Sequence, residues 1–239
     1  MQLYDKIIEE CLELFKGEQT EKLAVSGQLA RDAGGHNLIL RSDMAYELGG
    51  GILPAIGGLA FTTSKALVEE DGIWLQGPDL QDIQEDTAYA RIVFIRLSEG
   101  QLAQESEAYA LLRKIAYTRY HLCTEGFMLR ISASENREVV RVGKHARKQG
   151  LNFAEIGRRF LEEYHKIPEI MAAQIFFITA RDFPYQQLAG KMQEAEGITN
   201  SLNHIFQNLK MDCSVCNMKP VCDEVEGLKE IHQKINKKV

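Results

Sequence analysis

Ala90-Arg-Ile-Val-Phe-Ile-Arg-Leu97 is the stretch that decides the fold class. Its apolar residues are mostly β-branched or aromatic, and it is too short for a stable helix. It reads as a strand. Two strand candidates precede it, Gly58-Leu-Ala-Phe-Thr-Thr63 and Ile73-Trp-Leu-Gln76. Turn signals separate them, at Glu70-Asp-Gly72 and Gly77-Pro-Asp79. Downstream, Phe127-Met-Leu-Arg-Ile131 reads as a short strand and Ala173-Gln-Ile-Phe-Phe-Ile-Thr179 as a buried one.

Helical patterns fill the spaces between. Residues 2–16 place Leu3, Ile7, Cys11 and Leu14 near helical spacing. Residues 101–122 and the basic stretch 134–148 are also expected to be helical. Asn152 to Tyr164 reads as a helix with Asn152 as N-cap and Glu155 three residues on. Two helices are expected over 184–195 and 198–209, and a charged one over 223–237. Residues 38–48 look extended, ending at Gly49-Gly-Gly51. That triplet reads as a turn: no P-loop Lys-Ser/Thr and no spaced third glycine follows it. Strands alternating with helices after residue 90 predict a mixed α/β (α+β) fold. A strand-rich N-terminal region leads into alternating helix/strand layers, then a cysteine motif and terminal helix.

The composition excludes several classes. At 239 residues, with 45% apolar and 26% charged residues, the chain can bury a substantial core. A net charge of −6 argues against bulk nucleic-acid binding. No apolar run approaches the roughly 20 residues of a membrane span. The start, Met1-Gln-Leu-Tyr-Asp-Lys, is that of a charged amphipathic helix, so a cytoplasmic, reduced setting is expected. Charge is unevenly placed. From Arg130 to Arg159 eight basic residues face only Glu135, Glu138 and Glu155. A solvated helix face is the commoner explanation. The functional alternative is a phosphate-bearing small molecule held by arginine.

Three of the five cysteines fall within Cys213-Ser-Val-Cys216-Asn-Met-Lys-Pro-Val-Cys222. The C-x2-C-x5-C spacing brings three thiolates to one soft metal, either zinc or an iron–sulfur cluster. A disulfide framework does not suit an acidic chain with no secretory segment. The fourth ligand is open among Glu226, Cys123, His232, His204 and an exogenous group. Cys11 and Cys123 have core packing as their default. No serine-elbow, zincin or kinase motif is present, and His121 with Cys123 does not form a thiol–imidazole pair.

Several segments, in order, resemble one family: acetyl-CoA synthase, the beta subunit of the carbon monoxide dehydrogenase/acetyl-CoA synthase complex. They are Ala45-Tyr-Glu-Leu-Gly-Gly50, Ile73-Trp-Leu-Gln-Gly-Pro-Asp-Leu80, Met128-Leu-Arg-Ile-Ser132, Lys148-Gln-Gly-Leu-Asn-Phe-Ala-Glu-Ile-Gly157 and Ala173–Thr179. The resemblance covers about residues 43–222. It implies an N-terminal lead-in over 1–42, an acetyl-CoA-synthase-like middle domain over 43–209 and a metal motif with terminal helix over 210–239. It implies a [4Fe-4S] cluster on Cys213, Cys216 and Cys222, which are similar to the family's first three cubane cysteines. It implies CoA phosphates on Arg130, Arg137, Arg141 and Lys144, within the family's arginine-rich region. The expected partners are a corrinoid or CO dehydrogenase-type protein, ferredoxin and CoA.

The sequence departs from the family after Cys222. The fourth cubane cysteine and the downstream Cys-Gly-Cys that chelates the distal nickel have no counterpart. The expectation is therefore a truncated paralogue without the full nickel site, its turnover left open. The alternative is a non-catalytic assembly protein with a structural zinc.

Overall fold

The computed structural model describes residues 2–16, 20–34, 37–99, 105–131 and 136–206. In chain order the elements are α1 (Gln2–Leu14), β1 (Thr20–Leu23), β2 (Met44–Leu48), β3 (Ala55–Thr62), β4 (Gly72–Gln76), β5 (Tyr89–Leu97), α2 (Glu105–His121), β6 (Phe127–Ile131), β7 (Glu138–Gly143), α3 (Lys144–Lys148), α4 (Phe153–Tyr164), β8 (Ile170–Ile178) and α5 (Tyr185–Phe206). The larger sheet has the order β1-β4-β8-β5-β3, and the smaller one is β2-β7-β6. β3 runs parallel to β5 and β4 parallel to β8, while β5 and β8 meet antiparallel. The smaller sheet is antiparallel throughout. This is the mixed α/β architecture the sequence predicts.

β5 and β8 form the middle of the larger sheet, and nearly every residue of both is buried. A strand covered on both faces reads as a continuous apolar run, which is how these two read. Alternate side chains take opposite faces. Phe176 stacks on Phe15, just past α1, and on Trp74, with ring centroids 4.6 and 4.7 Å apart. Phe177 points the other way and stacks on Phe153 of α4 at 4.6 Å. α1 and α5 pack beside β3 on the first side, and α4 packs against β4 and β8 on the second.

α4 begins as expected. Asn152 has extended torsions and its side chain accepts a hydrogen bond from Glu155 N at 2.9 Å. Its apolar face lies so close to β4 that a Cβ on Gly157 would sit 2.7 Å from Ile73 Cγ2. Only glycine leaves room for that approach.

Three expectations are corrected. The helix expected over 134–148 is mainly the strand β7, with only Lys144–Lys148 helical. Val139, Val140 and Val142 favour the pleated backbone, and Glu138, Val140 and Val142 are its inward positions. A carboxylate facing inward hid that alternation. The two helices expected over 184–195 and 198–209 are one, α5. Thr199 and Ser201, which favour breaks, donate instead to Ala195 O and Gly197 O one turn back. Of the extended segment 38–48, only Met44–Leu48 is a strand; the short edge strand β1 has no marked signal in the sequence. The helix expected over 223–237 lies outside the described residues.

One ion pair ties the two sheets together. Arg91 on β5 points at Glu138 on β7, donating from Nε to Oε1 at 2.7 Å and from Nη2 to Oε2 at 2.6 Å. The two side chains are 2% and 0% exposed. Arg91 also lies over the Phe160 ring, 4.5 Å from its centroid. Burial pulls the guanidinium pKa down, and Glu138 more than reverses this, so Arg91 stays charged. Gly57 makes the space: a Cβ there would lie 2.6 Å from Glu138 Oε2.

Two predictions follow from this core. Glu138→Gln strands a buried guanidinium, so urea unfolding is expected to show a loss of roughly 3–5 kcal/mol. The double change Arg91→Met with Glu138→Leu is expected to recover most of it; a double variant as unstable as the single one would contradict this. The second concerns alkali. Burial pushes the Cys11 thiol from 9.0 up to about 12 and raises Tyr4, Tyr46 and Tyr185 above their ordinary 10.0. The folded state holds these protons where the unfolded chain gives them up. Their contribution is complete below pH 9 and is lost as pH rises toward the folded values. The urea midpoint is expected to fall steadily above about pH 9, and a flat midpoint from pH 8 to 11 contradicts it.

Candidate functional site

The four basic residues expected to hold phosphates gather around one segment, residues 39–51, which holds β2 and the glycine turn after it. Arg141 on β7 donates to Glu47 Oε1 at 3.0 Å and to Ile39 O at 3.1 Å. Arg130 on β6 reaches the same Glu47 oxygen at 3.1 Å. Arg137 donates to Gly49 O at 2.8 Å and to Gly51 O at 2.7 Å. Lys144 donates to Ser42 O at 2.9 Å. The smaller sheet thus brings all four to the 39–51 segment. Gly49 and Gly51 have φ of 69° and 59°, torsions that suit glycine. Their carbonyls accept from Arg137, so the triplet is a turn that meets a cation. Arg130 and Lys144 stay exposed, while Arg137 and Arg141 are half-buried.

The rest of the basic run does similar work. Arg147 donates to Gln81 O at 2.9 Å and lies over the Tyr46 ring. Arg158 is buried and donates to Gln28 O and Ala24 O, both at 2.8 Å. Arg159 pairs with Asp32 and Glu162. These cations fasten loops to the body.

Cys213, Cys216, Cys222, Glu226 and His232 lie outside the described residues, as does the His204 side chain. Among the described residues no three His, Cys, Asp or Glu side chains come together as a metal site. Cys11 is buried between α1 and its neighbours, and its thiol is pushed up to about 12 by burial. That environment does not fit a thiolate ligand. Cys123, after α2, is half-buried beside Leu38, Tyr120 and Met128 at the edge of an open groove. Of the two described thiols only Cys123 is placed to meet a ligand.

The segments that carry the family resemblance meet at one end of the larger sheet. Asp79 Oδ1 accepts from Leu80 N at 2.6 Å and from Phe153 N, the first residue of α4, at 2.9 Å. Burial raises the Asp79 carboxyl, and these two amides pull it back. Thr179 donates to Pro78 O at 2.7 Å, and Gln81 donates to Gly150 O at 2.8 Å. Tyr46 donates to Leu80 O, and Gly49 N donates to Thr87 O at 2.7 Å. Four quoted segments, far apart in sequence, therefore share one hydrogen-bonded junction. The fifth lies on β6, a neighbour of β7.

A cleft opens at the edge strand β3, between α2 and α5, with a volume of about 80 Å³. Gly57 and Gly58 form its floor and Arg91 shows through it. Met192 fills the room over Gly58, where a Cβ would lie 2.1 Å from its Sδ. Arg113 and Arg119 of α2 line the wall. None of these arginines was a sequence candidate. The Gly57-Gly58 pair within a strand was the available signal, since glycine there marks a close approach.

The sequence pattern of the CO dehydrogenase/acetyl-CoA synthase complex beta subunit family matches residues 33–183. That span covers well over half of the chain and takes in β2 through β8. The chain belongs to this family. No curated protein matches it. Among the described residues no helix is long and apolar enough to cross a membrane.

The geometry separates two roles among the basic residues. Arg141→Ala removes two bonds from a half-buried site and is expected to cost about 1–2 kcal/mol, with faster amide exchange over 39–51. Arg130→Ala loses a half-exposed pair and is expected to cost under about 1 kcal/mol. Equal losses in the two variants would contradict this division. Brief alkylation of the folded protein, read by peptide mapping, is expected to label Cys123 and spare Cys11.

Proposed function

We propose that this chain serves the CO dehydrogenase/acetyl-CoA synthase system as a beta-subunit-like protein that carries an iron–sulfur cluster and contacts CoA. The family match over 33–183 carries the reading. Cys213, Cys216 and Cys222 hold a [4Fe-4S] cluster, and a fourth ligand completes it. Cys123 is the described thiol open to that role. The cluster supplies one-electron chemistry when bound. CoA phosphates meet the exposed Arg130 and Lys144, with Arg137 and Arg141 holding the loop behind them. The proposed partners are a CO dehydrogenase-type or corrinoid protein and ferredoxin. The nickel site is not part of this reading.

Anaerobic reconstitution followed by iron and labile-sulfide assay tests the cluster. About four of each per chain are expected, with loss in the Cys213→Ser/Cys216→Ser/Cys222→Ser variant. Zinc with no sulfide would overturn the cluster in favour of a structural site. Calorimetry tests CoA: Arg130→Ala and Lys144→Ala are expected to weaken binding, with a dependence on salt. Unchanged affinity in both removes the phosphate contact.

A further inference from the structure

The cleft at β3 holds an unusual balance of charge. Three arginines line it: Arg91, Arg113 and Arg119. Arg91 is neutralised by Glu138. Arg113 donates to Tyr117 Oη at 2.9 Å and lies over that ring, and among the described residues no carboxylate pairs with it. Arg119 lies over Tyr120, and its Nε is buried with no hydrogen-bond partner. A buried N–H without a partner is uncommon, because leaving it unmade costs the full desolvation penalty. The single acid on the wall, Glu196, accepts from Asn136 Nδ2 at 2.7 Å. The cleft therefore carries positive charge, from Arg113 and Arg119, that its one acid does not balance.

The cleft also has apolar lining: Phe61 of β3, Leu112 and Ala116 of α2, and Met192 of α5. Size sets the ligand. A cavity of about 80 Å³ holds a handful of waters, at roughly 10–15 Å³ each. That is too small for a nucleotide, which needs a cleft of roughly 300 Å³ or more. It suits a small molecule with one charged end and one apolar end. A planar carboxylate matches the guanidinium fork, and a short alkyl chain matches Met192 and Leu112.

We propose that this cleft binds a short-chain monocarboxylate of about two to four carbons, its oxygens on Arg119 and Arg113 and its alkyl group against Met192 and Leu112. This goes beyond the cluster and CoA reading and does not depend on it. The residues involved lie on β3, α2 and α5; Arg119 also borders the groove beside Cys123, whereas Arg113, Leu112 and Met192 line this cleft without lining that groove.

Propionate is the probe, titrated by calorimetry into the full chain, with inorganic phosphate and 1-propanol as separate arms. Propionate is expected to bind, and phosphate and propanol at least tenfold more weakly, since each offers half of the match. Arg119→Gln is expected to weaken propionate roughly tenfold or more with an unchanged circular dichroism spectrum. In the wild type, the Met192 ε-methyl resonance is expected to shift on propionate addition and not on phosphate addition. Phosphate binding as tightly as propionate, propionate affinity unchanged in Arg119→Gln, or a still Met192 resonance at saturating propionate each overturns the proposal. Should Arg119→Gln fail to fold, Arg113→Gln and the Met192 resonance decide it. CoA calorimetry on Arg119→Gln is expected to match the wild type, so the two sites fail or stand separately.

Discussion

The Arg91–Glu138 pair is the constraint on which the arrangement of the two sheets depends. Each partner would cost several kcal/mol to bury alone. Neither strand can move without stranding a charge in an apolar interior. Two parallel hydrogen bonds set the angle of approach as well as the distance. Gly57 is the steric counterpart: the edge strand has no side chain where Glu138 must pass. The pair orients the smaller sheet, and the smaller sheet in turn presents Arg130, Arg137 and Arg141. Two apolar faces of similar area would pack about as strongly, but they would not fix one register.

The second organising feature is the junction around residues 77–87. It sets Leu80 and Ile83 into the core and is tied to the rest by hydrogen bonds. Asp79 is its centre, because one carboxylate serves both its own loop and the first turn of α4. An acidic group at a helix N-terminus is also favoured by the helix dipole. Pro78, Gly150 and Thr87 contribute only backbone carbonyls there. Motifs that span the chain from Tyr46 to Thr179 thus belong to one structural unit. Their order along the chain is what the family resemblance tracked, and their contact gives that order a physical reason.

How much of this was legible in the sequence depends on where each side chain points. β5 and β8 were plain, because burial on both faces leaves an unbroken apolar run. α4 was plain, because Asn152 and Glu155 mark its start and its apolar positions repeat at helical spacing. β7 was not: Glu138 occupies an inward position, and only Arg91, 47 residues earlier, explains it. Local pattern cannot show a partner that distant. The continuity of α5 was hidden for a related reason, since Thr199 and Ser201 satisfy themselves within the helix. The basic stretch is plain as a stretch, but its partners are not: most are backbone carbonyls of the 24–51 and 81 regions, and the carboxylates among them, Glu47 and Asp32, lie far away in sequence.

That last point bears on how charge is used in the chain. A run of cations invites an anionic ligand, but most of these cations spend their donors on backbone oxygen. A guanidinium with five N–H groups can satisfy several carbonyls of an irregular loop at once. The irregular residues of 24–28, of 39–51 on either side of β2, and at 81 gain order in this way. The cost is that such an arginine has little left for a ligand. An unpaired donor alone does not mark a binding residue: Arg147, which clasps Gln81 O, also keeps a buried Nε with no partner. Arg119 lies outside the basic stretch, carries a second such N–H and lines the cleft at β3. Unmet hydrogen-bonding capacity together with a place on a cleft, rather than the local density of charge, separates a cation that builds the fold from one that waits for something to bind.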